Sequence, residues 1–170
     1  DEGAKKSGAT KGTDLGPDSF RRFVTDIGSV DNPEYDIDIS KGLPKIADYG
    51  NIQIEPISGV KPTMQDLYKK LSTKVNLCLQ RELTAFVIGG SRDLFQAICD
   101  AYHNREKLPT GPATFLSISH SLDVEPLLAE DLCHSTSRKR YLLERLNKED
   151  RLIEFGIEGT KTSKKHAEYF

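Results

Sequence analysis

The feature that most constrains this chain is an alternation in its second half. Short apolar runs, each about a strand long, are separated by segments with helical spacing. Ala85-Phe86-Val87-Ile88, Ala113 to Ile118 and Leu152 to Ile157 are the strand-length runs. Between them, Leu94, Ile98, Cys99 and Tyr102 recur at helical spacing, as do Tyr141, Leu142 and Leu146. Strand, helix, strand, helix, strand predicts an α/β fold, a parallel β-sheet flanked by helices. Antiparallel neighbours need only a tight turn, whereas parallel ones need a crossover of this length. In such sheets reactive groups gather at the carboxyl ends of strands. That directs attention to 89–93, 119–123 and 158–160.

The first half extends the pattern. Residues 1–16 are polar and rich in Gly, Lys and Thr, and read as a loop. Pro17 suits the first turn of a helix, and Phe20, Phe23, Val24 and Ile27 mark one apolar face of it. Tyr35, Ile37 and Ile39 alternate with Asp36 and Asp38, predicting a short strand. Asp48-Tyr49-Gly50-Asn51 reads as a turn, with Ile52 and Ile54 alternating beyond it. Pro62 opens the longest helix, whose stripe is Met64, Leu67, Leu71, Val75, Cys78 and Leu79. Ser163 is placed to cap a last helix.

Several function classes are disfavoured. A net charge of -2 gives no electrostatic case for nucleic acid or an anionic membrane. The apolar runs fall far short of the roughly 20 residues a membrane span needs. No basic segment followed by an apolar stretch opens the chain, so no signal peptide is expected. Cys78, Cys99 and Cys133 are odd in number and widely spaced, as in neither a disulfide framework nor a zinc site. Reduced thiols in a cytoplasmic protein are the expectation. Gly89-Gly90 lacks the third glycine and the trailing Lys-Ser/Thr of a phosphate loop. Arg138-Lys139-Arg140 lacks interleaved aromatics and reads as a solvated helix start.

The motifs, taken in order, carry a resemblance. Asp1-Glu2-Gly3, Gly8, Gly12 and Gly16-Pro17 leading to Arg21 resemble the opening loop of formiminoglutamase-like ureohydrolases. Asp48-Tyr49-Gly50-Asn51 is similar to that family's Asp-x-Gly-Asn/Asp turn, and Gly89-Gly90 to its glycine pair before a helix. Residues 118–127 resemble the strand end that carries Asp-x-His-x-Asp. His134-Ser135-Thr136-Ser137 resembles the substrate loop, and residues 151–156 the strand that follows. The chain thus resembles the ureohydrolase superfamily of arginases, agmatinases and formiminoglutamases. The resemblance implies a three-layer α/β/α arrangement over 1–170 as one domain. It also implies that this domain is incomplete at both ends, without the first strand and the C-terminal part.

Active members of that superfamily hold two manganese ions at these strand ends, and the ions turn a bridging water into hydroxide. Hard ions of this kind require carboxylates and imidazoles. Here the resemblance implies a replaced ligand set. The family's first histidine falls on Arg92, the next aspartate on Ser119 and the following histidine on Ser121, while Asp123 keeps its type. A guanidinium about 4 Å from a divalent ion repels it by roughly 8 kcal/mol at an effective dielectric near 20. His120 is one residue off register and belongs to the opposite strand face. Arg92 is either solvated at a helix start or paired with Asp123 in place of metal charge. The pairing is favoured, because a cation at a helix N-terminus invites a partner. Ser119 and Ser121 read as hydrogen-bonding strand-end residues. His134, with Ser135 and Thr136, is a substrate-loop candidate, although an ordinary exposed loop histidine is the simpler expectation.

Two functions from different classes follow from the resemblance. One is an arginase-like protein without the dimanganese centre and without cofactor. It would act as a binding or regulatory homologue, as a homo-oligomer or with an active paralogue, and could hold a small amidine or guanidine ligand. The alternative is an active manganese-dependent hydrolase of the C–N bonds of arginine, agmatine or formiminoglutamate, using Asp123 and His134.

Overall fold

The computed structural model describes residues 12, 15–27, 31–32, 34–38, 46–53, 56, 62–104, 112–129 and 132–169. Its organising element is a parallel strand pair, β3 (Thr114–Ile118) and β4 (Arg151–Phe155), in register from Thr114↔Arg151 to Ile118↔Phe155. Because side chains alternate with period two, the pair divides its residues between two faces. Phe115 and Leu152 turn inward and join a core with Cys99, Cys133, Tyr141 and Leu142. Leu116, Ile118, Ile153 and Phe155 turn outward and stay exposed, Ile118 at 79%. A parallel sheet is normally covered on both faces. Among the described residues only one face of this pair is covered.

Helices supply that cover. The preceding elements are α1 (Gly16–Ile27), the two-residue strands β1 (Asp31–Asn32) and β2 (Ile37–Asp38), α2 (Met64–Gln80) and α3 (Phe95–His103). After β3 come α4 (Arg138–Leu143), β4 and α5 (Lys164–Tyr169). Thr63 starts α2 with a capping box: its hydroxyl accepts the Asp66 N–H while the Asp66 side chain accepts the Thr63 N–H. Such a cap stabilises a helix by about 1 kcal/mol. Tyr68, Leu71, Val75 and Leu79 form the buried stripe of α2, packed on Ala97 and Ala101 of α3. Burying such side chains contributes about 1.5–3 kcal/mol each for the larger aliphatic ones. The two alanines allow close approach, while Cys99 and Phe95 on another side of α3 serve the sheet-side core.

The predicted parallel α/β arrangement is present, with corrections in its parts. Tyr68 belongs to the α2 stripe, and Cys78 is only half-buried. Residues 85–88 do not form a buried strand: Phe86 is 80% exposed, and no sheet among the described residues includes the segment. An apolar run becomes a buried strand only where a neighbour pairs and covers it. The helix α1 forms as predicted, but Phe20, Phe23 and Val24 are exposed, and the Phe20 ring lies beside the Phe86 ring, with centroids 6.3 Å apart. The strand expected around Tyr35–Ile39 shrinks to an antiparallel bridge between β1 and β2, with Tyr35 in the turn. Ile39 and Ile54 lie outside the described residues, as does most of the loop predicted for 1–16. Leu146 packs on the sheet-side core but lies past the end of α4. Ser163 does cap α5, its hydroxyl accepting the His166 N–H.

Two of the sequence motifs meet at an exposed clamp. Arg21 of α1 donates to both Asp48 oxygens, at 2.6 and 3.1 Å, and its third nitrogen reaches Asn51 and Asp18. The Gly50 N–H closes the Asp48 turn at 2.7 Å, with Gly50 at φ 73°, a conformation that favours glycine. The Arg21 hydrogen bonds, with help from the Gly50 N–H, pull the Asp48 carboxyl from 3.8 down to about 2. A depressed carboxyl adds stability that is complete above its ordinary pKa and lost as pH falls through the folded one. The clamp should therefore hold above about pH 4 and open toward pH 2. An NMR titration should place the Asp48 midpoint near 2, returning to the ordinary range in Arg21→Gln. A midpoint near 3.8 in the unaltered protein would show that the clamp does not form.

Candidate functional site

The carboxyl ends of β3 and β4 lead into the loop that carries the candidate residues. Ser119 continues the ladder by donating its N–H to the Phe155 carbonyl at 2.9 Å. The chain then folds on itself: the Ser119 hydroxyl accepts the Ser121 N–H and faces the Ser121 carbonyl. Asp123 follows with φ 48°, in the left-handed region that aspartate tolerates better than most side chains. Its side chain is only 2% exposed. Oδ1 accepts the Ser121 hydroxyl at 2.6 Å, and Oδ2 accepts Nε of Arg138 at 2.6 Å.

Arg138 therefore carries the charge that balances Asp123. Arg92, the expected partner, lies at 3.9 Å from Oδ2 with half of its side chain in solvent. The juxtaposition of Arg92 and Asp123 is present, but the hydrogen-bonded cation comes from a helix start fifteen residues downstream. The predicted solvated character of Arg138-Lys139-Arg140 is thus corrected for two of its three members. Lys139 is 2% exposed and donates to Glu154 Oε2 at 2.7 Å and to the Ser121 carbonyl at 2.6 Å. Arg140 alone points outward, pairing with Glu144 at 2.8 Å. Two consecutive cations at the start of α4 thus serve two buried carboxylates, one on the β3 loop and one on β4. Burial drives the Lys139 pKa down, and the bond to Glu154 opposes that shift.

The position of Glu154 was legible in principle. Period two places it on the same strand face as Leu152, toward the helices, and a carboxylate there needs a cation. Glu154 Oε1 has no hydrogen-bond partner among the described residues. Asp93, the residue after Arg92, is also buried, and it turns inward to accept the Tyr68 hydroxyl at 2.8 Å and the Ser91 hydroxyl. Gly89, at φ 91°, lies against Pro17, whose ring atoms would sit 2.6 Å from any added Cβ. This contact fixes the start of α1 against the glycine pair.

His134 and Ser135 are buried and Thr136 is half-buried, which corrects the simpler expectation of an exposed His134. Nε2 of His134 lies 2.8 Å from the Pro126 carbonyl, and Nδ1 lies 3.0 Å from the Thr136 hydroxyl. A carbonyl only accepts, so Nε2 carries a proton and donates it to Pro126. Both ring nitrogens are committed to the loop's own structure. Ser135 Oγ is buried with no partner among the described residues. The Thr136 carbonyl accepts the Glu125 N–H at 3.0 Å, tying this loop to the one that holds Asp123.

Around Asp123 the described residues offer one carboxylate and neutral hydroxyls as donors. Both Asp123 oxygens are engaged, two guanidinium groups flank them, and Ser119 and Ser121 offer only neutral oxygens. Among the described residues no three His, Cys, Asp or Glu side chains gather where they could hold a metal.

Comparison with known proteins places the fold. The arginase family model matches residues 3–169, so the chain belongs to the arginase family. Among solved structures it is similar to an arginase superfamily protein from Trypanosoma cruzi, with TM-score 0.80 and 31% identity over 99% of this chain. A structure of Trypanosoma cruzi formiminoglutamase with Mn2+ matches with the same TM-score, identity and coverage. The oxidized form of that enzyme at pH 4.6 matches with TM-score 0.75 and 30% identity. The chain spans about half of those proteins, 53% of the first two and 52% of the third. No curated protein matched it.

The charge arrangement predicts an ordering of variants. Breaking a buried ion pair by removing one partner typically costs about 3–5 kcal/mol. Arg138→Met should therefore cost about 3 kcal/mol or more in urea denaturation, and Asp123→Ala a similar amount. Arg92→Met should cost less than about 1 kcal/mol, as for a partly exposed pair without a hydrogen bond. Equal losses for the two arginine variants would mean that Arg92 shares the balancing role.

Proposed function

We propose that this chain is a non-catalytic member of the arginase family, in which protein cations occupy the role of the metal charge. One observation carries the reading: Arg138 Nε lies 2.6 Å from Asp123 Oδ2, on a carboxylate oxygen that a metal would need. A divalent ion at Asp123 would have to displace one guanidinium and accept another within about 4 Å, a repulsion of several kcal/mol. Without a metal-bound hydroxide the nucleophile is bulk water, whose pKa near 15.7 leaves it weak at neutral pH. What remains is a folded strand-end site suited to binding or regulation. Three unpaired cysteines, two of them buried, agree with a reducing compartment such as the cytoplasm. The exposed apolar row of Leu116, Ile118, Ile153 and Phe155 supports association with another polypeptide, whether a second copy or an active paralogue.

The purified protein, incubated with excess Mn2+ and desalted, should retain well under one equivalent by elemental analysis. It should release neither urea nor formamide above background from arginine, agmatine or formiminoglutamate. One or two tightly held Mn2+ per chain, with steady release that Asp123→Ala abolishes, would overturn the proposal.

A further inference from the structure

His103 is the last residue of α3, and both nitrogens of its ring face carbonyl oxygens. Nδ1 lies 2.9 Å from the Cys99 carbonyl, one turn back on the same helix. Nε2 lies 2.7 Å from the Arg145 carbonyl, just past the end of α4. Carbonyl oxygens only accept, so each contact needs an N–H on the ring. A neutral imidazole has one N–H, whereas the imidazolium has two. A neutral ring in this place would set a nitrogen lone pair against a carbonyl oxygen at 2.7 or 2.9 Å. The position therefore belongs to the charged ring.

The groups around it agree, among the described residues. The ring sits at the C-terminal end of α3, where the helix dipole favours a cation. Asp150, on the turn before β4, accepts the Ala113 and Asn147 N–H groups. These bonds hold its carboxyl below the ordinary range, and the His103 charge acts in the same direction. Asp150 is thus an anion throughout the range in which histidine titrates. Asp100, one turn earlier on α3, accepts the Tyr141 hydroxyl at 2.6 Å. Arg145 opposes these carboxylates with a cation, which lies over the Tyr141 ring at 3.6 Å. Lys148 and Glu149 are exposed and opposite in sign, and burial keeps the Cys99 thiol protonated.

We infer that His103 is a proton-operated tie between the ends of α3 and α4. Charged, it holds the Cys99 and Arg145 carbonyls at once; on losing a proton it must leave that position. The tie is complete in acid and is released as pH rises through the titration of the ring. α3 and α4 meet in the sheet-side core through Cys99, Tyr141 and Leu142. The start of α4 is held by Arg138 on Asp123 and Lys139 on Glu154, and the tie holds the chain just past its other end.

The test follows the full chain by NMR, upward from about pH 5 until the ring is neutral. At the acid end both His103 ring N–H protons should be visible. The Cys99 and Arg145 carbonyl resonances should then move together, with the same midpoint as the ring nitrogens. Over the same step the hydrogen-exchange protection factors of the Asn104 and Arg145 amides should fall roughly three- to tenfold, as for a lost hydrogen bond. His103→Gln, at an exposed position that tolerates the change, should remove the step from both carbonyls and both amides. His166→Gln should leave the step intact, which separates it from the other ion-paired histidine. Carbonyl resonances that do not follow the ring, or a step that survives in His103→Gln, would overturn the inference.

Discussion

Asp123 is a buried carboxylate on a left-handed backbone, at the point where the chain leaves β3. A charge in that position must be matched, because an isolated ion in a protein interior costs several kcal/mol. The match comes from the start of α4, and this one requirement organises the neighbourhood. Arg138 reaches Asp123, and Lys139, the next residue, reaches both Glu154 on β4 and the Ser121 carbonyl. The Lys139 backbone N–H also donates to the Asp123 carbonyl at 3.2 Å. Two adjacent side chains and one amide thus join the β3 loop, the crossover helix and the second strand. Such pairs need not add net stability over apolar packing, but they penalise any arrangement that leaves a charge alone.

The same arrangement bears on chemistry. The strand ends of this arginase-family fold bring Arg138 and Arg92 beside Asp123. His134 follows the same logic, since a ring that donates to the Pro126 carbonyl and meets the Thr136 hydroxyl shapes its loop from within. On the other side of β3 and β4 lies a row of exposed apolar side chains. The solved relatives are nearly twice as long as these 170 residues. The charged groups at the polar edge of the sheet are largely paired among themselves, whereas its outer apolar face is exposed among the described residues.

Much of this was legible in the residues. The β3–α4–β4 unit followed from its periodicity, strand direction pointed to Ser119–Asp123, and the His134 loop was singled out only by the family resemblance. What could not be read was which cation would win Asp123. Family position pointed to Arg92, whereas the backbone turn at Asp123 aims its carboxylate at the first turn of α4. That turn depends on a φ angle that sequence periodicity does not encode. The burial of Lys139 was hidden for a related reason: three successive basic residues look solvated until one sees Glu154 facing inward between Ile153 and Phe155. The segment 85–88 erred the other way, because an apolar run states only a preference for cover. Cover depends on a neighbour elsewhere in the fold.

The central claim is that the cation on Asp123 is Arg138 and that no metal competes for it. Paramagnetic broadening reads this directly, because Mn2+ bound at Asp123 would lie within a few ångströms of the Arg138 Nε–Hε proton. The account predicts that this resonance is present in the unaltered protein and keeps its linewidth when one equivalent of Mn2+ is added. Selective loss of the Arg138 signal at stoichiometric Mn2+, restored by chelator, would contradict it.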